Sequence, residues 1–112
     1  MPCVDLTYLE RLYKGDRVRI AAWVELFLEE VPQRMEELAQ CVERCDAIAL
    51  AALAHELKPQ AHYLGAARMH EVLVRIGEGT RCNGPADCAT EVLELREACA
   101  DVERELRGRF SP

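Results

Sequence analysis

Between Arg17 and Arg44 the residues Val24, Leu28, Val31, Met35, Leu38 and Val42, with Cys45 just beyond, recur at alternating steps of four and three. That spacing places them on one stripe of an α-helix. At about 1.5 Å per residue such a helix is roughly 40 Å long, and a stripe of that length needs other helices to cover it. Pro32 falls inside the segment. Proline removes one backbone hydrogen bond and presses on the turn before it, so a kink is expected there. The stripe keeps its phase across Pro32, which favours one bent helix over two.

The rest of the chain supplies the partners. A short segment from Asp5 to Tyr13 has Asp5 as its expected N-cap and Leu6, Leu9, Leu12 and Tyr13 on its apolar face. Lys14-Gly15-Asp16 breaks the chain, with Gly15 closing one helix and Asp16 capping the next. Cys45-Asp46 opens a third helix that runs to Tyr63 or Leu64, where Gly65 ends it. A fourth follows, with Ala66, Met69, Val72, Leu73 and Ile76 facing inward. Gly77-Glu78-Gly79 and Asn83-Gly84-Pro85 then read as a loop, Pro85 suiting the first turn of a fifth helix. That helix carries Cys88, Val92, Leu95, Cys99, Val102 and Leu106 at steps of four and three. The tail from Gly108 to Pro112 is expected to fray.

Half of the 112 residues are hydrophobic, only 5% are aromatic, and the strong helix formers Ala, Leu, Glu and Arg dominate. The expectation is therefore an all-α chain. It forms an antiparallel four-helix bundle with a short additional N-terminal helix capping one end. It reads as one domain, residues 1–112, with its core over about 5–107.

The net charge is −6, and the arginines are scattered among acidic residues, which excludes a nucleic-acid partner. No apolar run approaches the ~20 residues of a membrane span. Met1-Pro2-Cys3-Val4-Asp5 has no basic region followed by an apolar one, so it is not a signal peptide and the chain is expected in the cytoplasm. The six cysteines, Cys3, Cys41, Cys45, Cys82, Cys88 and Cys99, match no zinc spacing. Cys88, Cys99 and Cys45 fall on apolar seams and read as small buried hydrophobes. In a reducing compartment they stay free thiols, and Cys82 and Cys88 pair only under oxidation. Nothing in the spacing points to a metal or a nucleotide, and no glycine-rich phosphate loop is present.

The third helix carries the chemistry. With His55 at zero and about 100° per residue, Leu50, Leu53, Leu57, Ala61 and Leu64 gather on the far side, the core face. Ala51, Ala52, His55, Lys58, Pro59 and His62 lie on the near side. Small neighbours leave an imidazole unshielded. Lys58 lies one turn on, about 4.5 Å along the axis, where its ammonium can meet a phosphoryl group attached to His55. The bland alternative is a solvated surface, since a His and a Lys three apart occur often by chance.

The run Ala54-His55-Glu56-Leu57-Lys58-Pro59-Gln60-Ala61-His62-Tyr63-Leu64-Gly65-Ala66 resembles the signature of the histidine phosphotransfer domain, which reads His, any residue, Leu, Lys, usually Gly, then Leu-Gly. The match falls on His55, Leu57, Lys58, Leu64, Gly65 and Ala66. Gly15-Asp16 opening a long helix, Leu26-Phe27-Leu28-Glu29-Glu30 before Pro32, and Asp46 opening the His-bearing helix stand in the family's order. Two positions depart from it. Pro59 stands where Gly is commonest and cannot take the hydrogen bond from the His55 carbonyl. His62 stands where a small residue is usual and reads as the rim of a docking face. His70 reads as plain surface.

The resemblance implies a phosphocarrier that relays phosphoryl groups between receiver-domain aspartates, with His55 as acceptor and Lys58 offsetting the incoming charge. The attacking form of an imidazole is the neutral one, available near pH 7 because histidine ordinarily titrates at about 6.5. The receiver brings its own aspartate, metal ion and lysine, so no cofactor is expected in this chain. It is not an enzyme in its own right and has no autokinase activity. The implied partners are a response-regulator receiver domain and a hybrid sensor histidine kinase, bound by a monomer. The implied docking face comprises Phe27, Ala51, Ala52, Pro59, His62 and Gly65. Two other classes compete: a helical adaptor that uses the same face without phosphorylation, and a thiol sensor built on Cys41 and Cys45.

Overall fold

In the computed structural model, which describes residues 3–82 and 88–110, the chain forms five α-helices: α1 (Thr7–Leu12), α2 (Arg17–Glu43), α3 (Ala47–Tyr63), α4 (Ala67–Cys82) and α5 (Ala89–Phe110). No strand occurs among the described residues. Helices α2 to α5 pack in a ring, each against its chain neighbours, and α2 meets α5 to close it. This is the expected four-helix bundle with α1 as an accessory. The molecule is 42 Å long, close to the length of its 27-residue α2.

The helix starts follow from capping. The Asp16 carboxylate accepts from the Val18 and Arg19 N–H groups at 3.1 and 3.3 Å, and the Asp46 carboxylate accepts from Ala49 N–H at 3.0 Å. At the head of α1 the Asp5 carboxylate accepts the Thr7 hydroxyl at 2.6 Å and the Thr7 N–H at 3.0 Å. Both bonds hold its carboxyl below the usual carboxylate range, the hydroxyl contributing more. Helix α2 is continuous across Pro32, whose ring stands on the exposed side.

The core is filled by Leu, Val, Ile, Met and Ala side chains from every helix, including Leu9 of α1 and Val4 and Leu6 just before it. No polar or charged residue is buried among those described. Cys41, Cys88 and Cys99 lie in this core, and burial pushes the Cys99 thiol up to about 12.

Four expectations are corrected. The stripe of α2 is broader than its three-four steps: Ile20, Phe27 and Cys41 are buried, while Leu28 and Val42 are only half-buried. The reason is that α2 packs on α3 along one flank and α5 along the other. Cys45 is exposed and stands beyond the end of α2 with φ +55°, so it is neither on a seam nor on one helix with Cys41. Gly77-Glu78-Gly79 is helical, not a loop. A Cβ on Gly79 would stand 2.8 Å from Cys88 Sγ, so the small residue here makes room for the cysteine just ahead of α5. Finally, α5 runs on through Gly108 to Phe110. An Arg109–Glu105 ion pair at 3.1 Å and the favourable placing of Arg107 and Arg109 in the last turn support it. The expected turn at Asn83-Gly84-Pro85 lies outside the described residues.

Candidate functional site

Helix α3 is nearly all Ala, Leu and other helix formers, and its two faces differ sharply. Leu50, Ala54, Leu57 and Ala61 are buried. His55, Ala52, Pro59 and His62 are exposed, and Ala51 and Lys58 are half-buried. The six near-side residues therefore do share the outward face.

His55 makes no hydrogen bond, ion pair or ring contact with any described residue. Lys58 leans toward α4, where its Nζ lies 3.9 Å from the position a Cβ would take on Gly77. It too has no acidic partner among the described residues, so its charge is uncommitted. Lys58 is also one of only two lysines, Lys14 being the other, in a chain whose remaining basic residues are arginines. On the opposite flank Glu56 points to α2 and pairs with Arg34, Oε2 to Nη1, at 3.7 Å.

The C-terminal end of the face is built from rings. The Tyr8 ring of α1 lies 4.8 Å from that of His62 and stacks on Tyr63 at 5.2 Å. Tyr63 meets Trp23 of α2 edge-on at 5.8 Å, and Trp23 stacks on Phe27 at 5.9 Å. His62 is thus held at the edge of the face against α1.

Two of the expected docking residues turn out differently. Phe27 is 3% exposed and belongs to the core. Its aromatic surface is spent on Trp23 and the bundle interior, and its exposed neighbour is Leu26. Gly65 is at the surface, but its backbone is committed to the N-terminal segment: φ is +59°, Asp5 N–H donates to the Leu64 carbonyl at 2.8 Å, and a Cβ would collide with the Asp5 carbonyl oxygen.

Sequence reasoning missed Ile48, 86% exposed. It precedes His55 by two turns, and seven steps return it to within about 20° of the same face. That step of seven was the available signal.

No group of three or more potential metal ligands occurs among the described residues. A cavity of about 700 Å³ is lined by Leu6, Glu10, Arg17, Ile20 and Phe110 among others and includes neither His55 nor Lys58. No helix, among the described residues, is long and apolar enough to cross a membrane.

The architecture defines a class: a helical bundle presenting an unpartnered histidine and, one turn on, an unpaired lysine. The model of the Hpt domain family matches residues 22–106. The chain belongs to the Hpt domain family, whose members are phosphocarriers in two-component signalling. The crystal structure of the HPT domain from a sensor hybrid histidine kinase of Shewanella superposes with a TM-score of 0.83 at 16% identity, covering 97% of this chain and 94% of that one. That likeness bears on the fold. No curated protein matches the sequence.

Proposed function

We propose that the chain takes a phosphoryl group onto His55 from the phosphoaspartate of a receiver domain and yields it to the aspartate of another, acting as a carrier in a phosphorelay. The observation that carries this reading is the exposed, unpartnered His55 between small residues, with the free ammonium of Lys58 one turn away.

The unprotonated ring nitrogen of His55 attacks phosphorus in line with the aspartyl oxygen. An N–P bond forms as the O–P bond breaks, and the bonding pair returns to the aspartate as a carboxylate. The other ring nitrogen keeps its proton, so no general base is required. The histidine becomes an imidazolium bearing a dianionic phosphoryl group, and Lys58 offsets that charge. Ala51, Ala52 and Pro59 set the distance of approach, because side chains this small let a second protein's backbone come close. Ile48 and Leu26, apolar and exposed, extend the contact, with His62 at its rim.

The test is His55→Gln. Wild type incubated with a phosphorylated receiver is expected to acquire acid-labile, base-stable phosphate, and the variant none, with its helical signal unchanged. Undiminished uptake in the variant would move the acceptor to His62 or His70. Receiver binding by a wild-type chain that takes no phosphate would favour the adaptor reading.

A further inference from the structure

His55 is bordered by two charged residues of its own helix that lean in opposite directions. Lys58 leans to α4 and Glu56 to α2. A carboxylate next to the acceptor opposes the arrival of a phosphoryl dianion, in a chain that already carries −6. Glu56 is not alone. Across from it on α2 stands Glu37, and both carboxylates meet the same guanidinium nitrogen: Arg34 Nη1 is 3.2 Å from Glu37 Oε2 and 3.7 Å from Glu56 Oε2.

The two acids are not equally dependent on that arginine. Glu37 also accepts from Gln33 Nε2 at 3.5 Å. Glu56 has no other partner among the described residues. The Arg34 side chain is 36% exposed, so its charge is only partly screened by water.

We propose that Arg34 is a positioning residue for phosphoryl transfer: it ties the Glu56 carboxylate back to α2 and offsets its charge, so that the field at His55 is set by Lys58. The inference rests on His55 being the acceptor. It reaches a residue on a different helix, outside the His55 signature and without contact to the histidine.

Arg34→Gln removes the offsetting charge and keeps a polar side chain of similar reach. Uptake from a phosphorylated receiver is expected to slow by about threefold at 10 mM salt, the scale of a partly exposed ion pair. The deficit shrinks in 1 M salt, where screening acts within about 3 Å. Arg34→Lys keeps the charge and most of the rate. The decisive variant is the double one, Arg34→Gln with Glu56→Gln, which is expected to return uptake to near the wild-type rate because the unpaired carboxylate has gone.

A loss of packing by Arg34 would not be repaired by changing Glu56, so equal slowing of the single and double variants overturns the proposal. So does a wild-type rate for Arg34→Gln at 10 mM salt. The His55→Gln control run beside them separates this failure from that of the carrier reading: if it is labelled like wild type, or wild type is labelled by neither receiver nor phosphoramidate, the carrier reading falls and this inference with it.

Discussion

The seam between α4 and α5 and the outward face of α3 both meet solvent, and they are finished in opposite ways. Along the seam, Arg68 reaches Glu97 at 3.6 Å and Asp101 at 3.4 Å, and Arg75 reaches Glu94 at 2.7 Å. The last contact is tight enough for each partner to hold the other charged: the hydrogen bond to Glu94 raises Arg75, and the bond from Arg75 lowers Glu94. The charges there satisfy one another and close over the core. On α3, His55 and Lys58 have no partner among the described residues and are flanked on the outward face by the small Ala51, Ala52 and Pro59. Exposed ion pairs contribute little stability, so the difference lies in availability. Arg68 and Arg75 are committed to acids across the seam, whereas the α3 face keeps a nucleophile and a cation uncommitted.

The sharpest way to probe the contrast is within α3 itself. Leu57 lies two residues from His55 and is fully buried. Leu57→Ala is expected to cost about 2–5 kcal/mol of stability through lost burial and a residual cavity, read from urea unfolding. His55→Gln, on the open face, should stay within about 0.5 kcal/mol of wild type. A cost below about 1 kcal/mol for Leu57→Ala would mean that the two faces are not as different as their burial implies.

A smaller effect is expected at the junction that seats α1 beside the face. Gly65→Ala forces a left-handed residue to carry a Cβ into the Asp5 backbone, and should cost about 1–3 kcal/mol. Gly15 is also left-handed, at φ +77°, but has nothing within 4 Å of its Cβ position. Gly15→Ala should therefore cost less, about 1 kcal/mol. Hydrogen exchange adds a local readout, since only the Gly65 variant should loosen α1 and with it the Tyr8 stack on Tyr63. Equal costs and unchanged exchange in α1 would show that Asp5 gives way freely.

Most of this architecture is legible in the sequence because it is local. The caps Asp16 and Asp46 act within three residues, and periodicity gives four of the five expected core residues of α3, Leu53 being only half-buried while Ala54 is buried in its stead. The unreadable parts depend on partners distant in sequence. Phe27 is buried in the assembled bundle, and the Trp23 ring stacked on it is itself met by Tyr63 of α3, forty residues on. Gly77 and Gly79 stay helical because the bundle holds them there against their weak propensity, Gly79 making room for Cys88, just ahead of α5. The His55 face was readable as a pattern of residue types. The Arg34–Glu56 pair was not, since no spacing along one helix reveals which residue of the next helix will meet it.

Ala52 and Ala54 give the comparison its finest form. They are two residues apart on α3, one exposed and the other fully buried. Ala52 projects more than about 90° away from both Leu53 and Leu57, so added bulk there enters solvent and leaves the core alone. Ala52→Trp should therefore change stability by no more than about 0.5 kcal/mol. Slow phosphorylation by phosphoramidate should stay nearly intact, because that donor is small enough to pass an indole. Transfer from a receiver is different, since its phosphoaspartate arrives on a protein surface that must lie close to α3. A displacement of about 1 Å from in-line geometry costs on the order of a hundredfold in rate, and an indole exceeds that clearance. The expected signature is receiver transfer lowered steeply while stability and phosphoramidate labelling hold. If both reactions fall together, the substitution has disturbed His55 itself. If neither falls, the docking surface does not cross Ala52, and the receiver approaches from the α4 flank, where Lys58 leans.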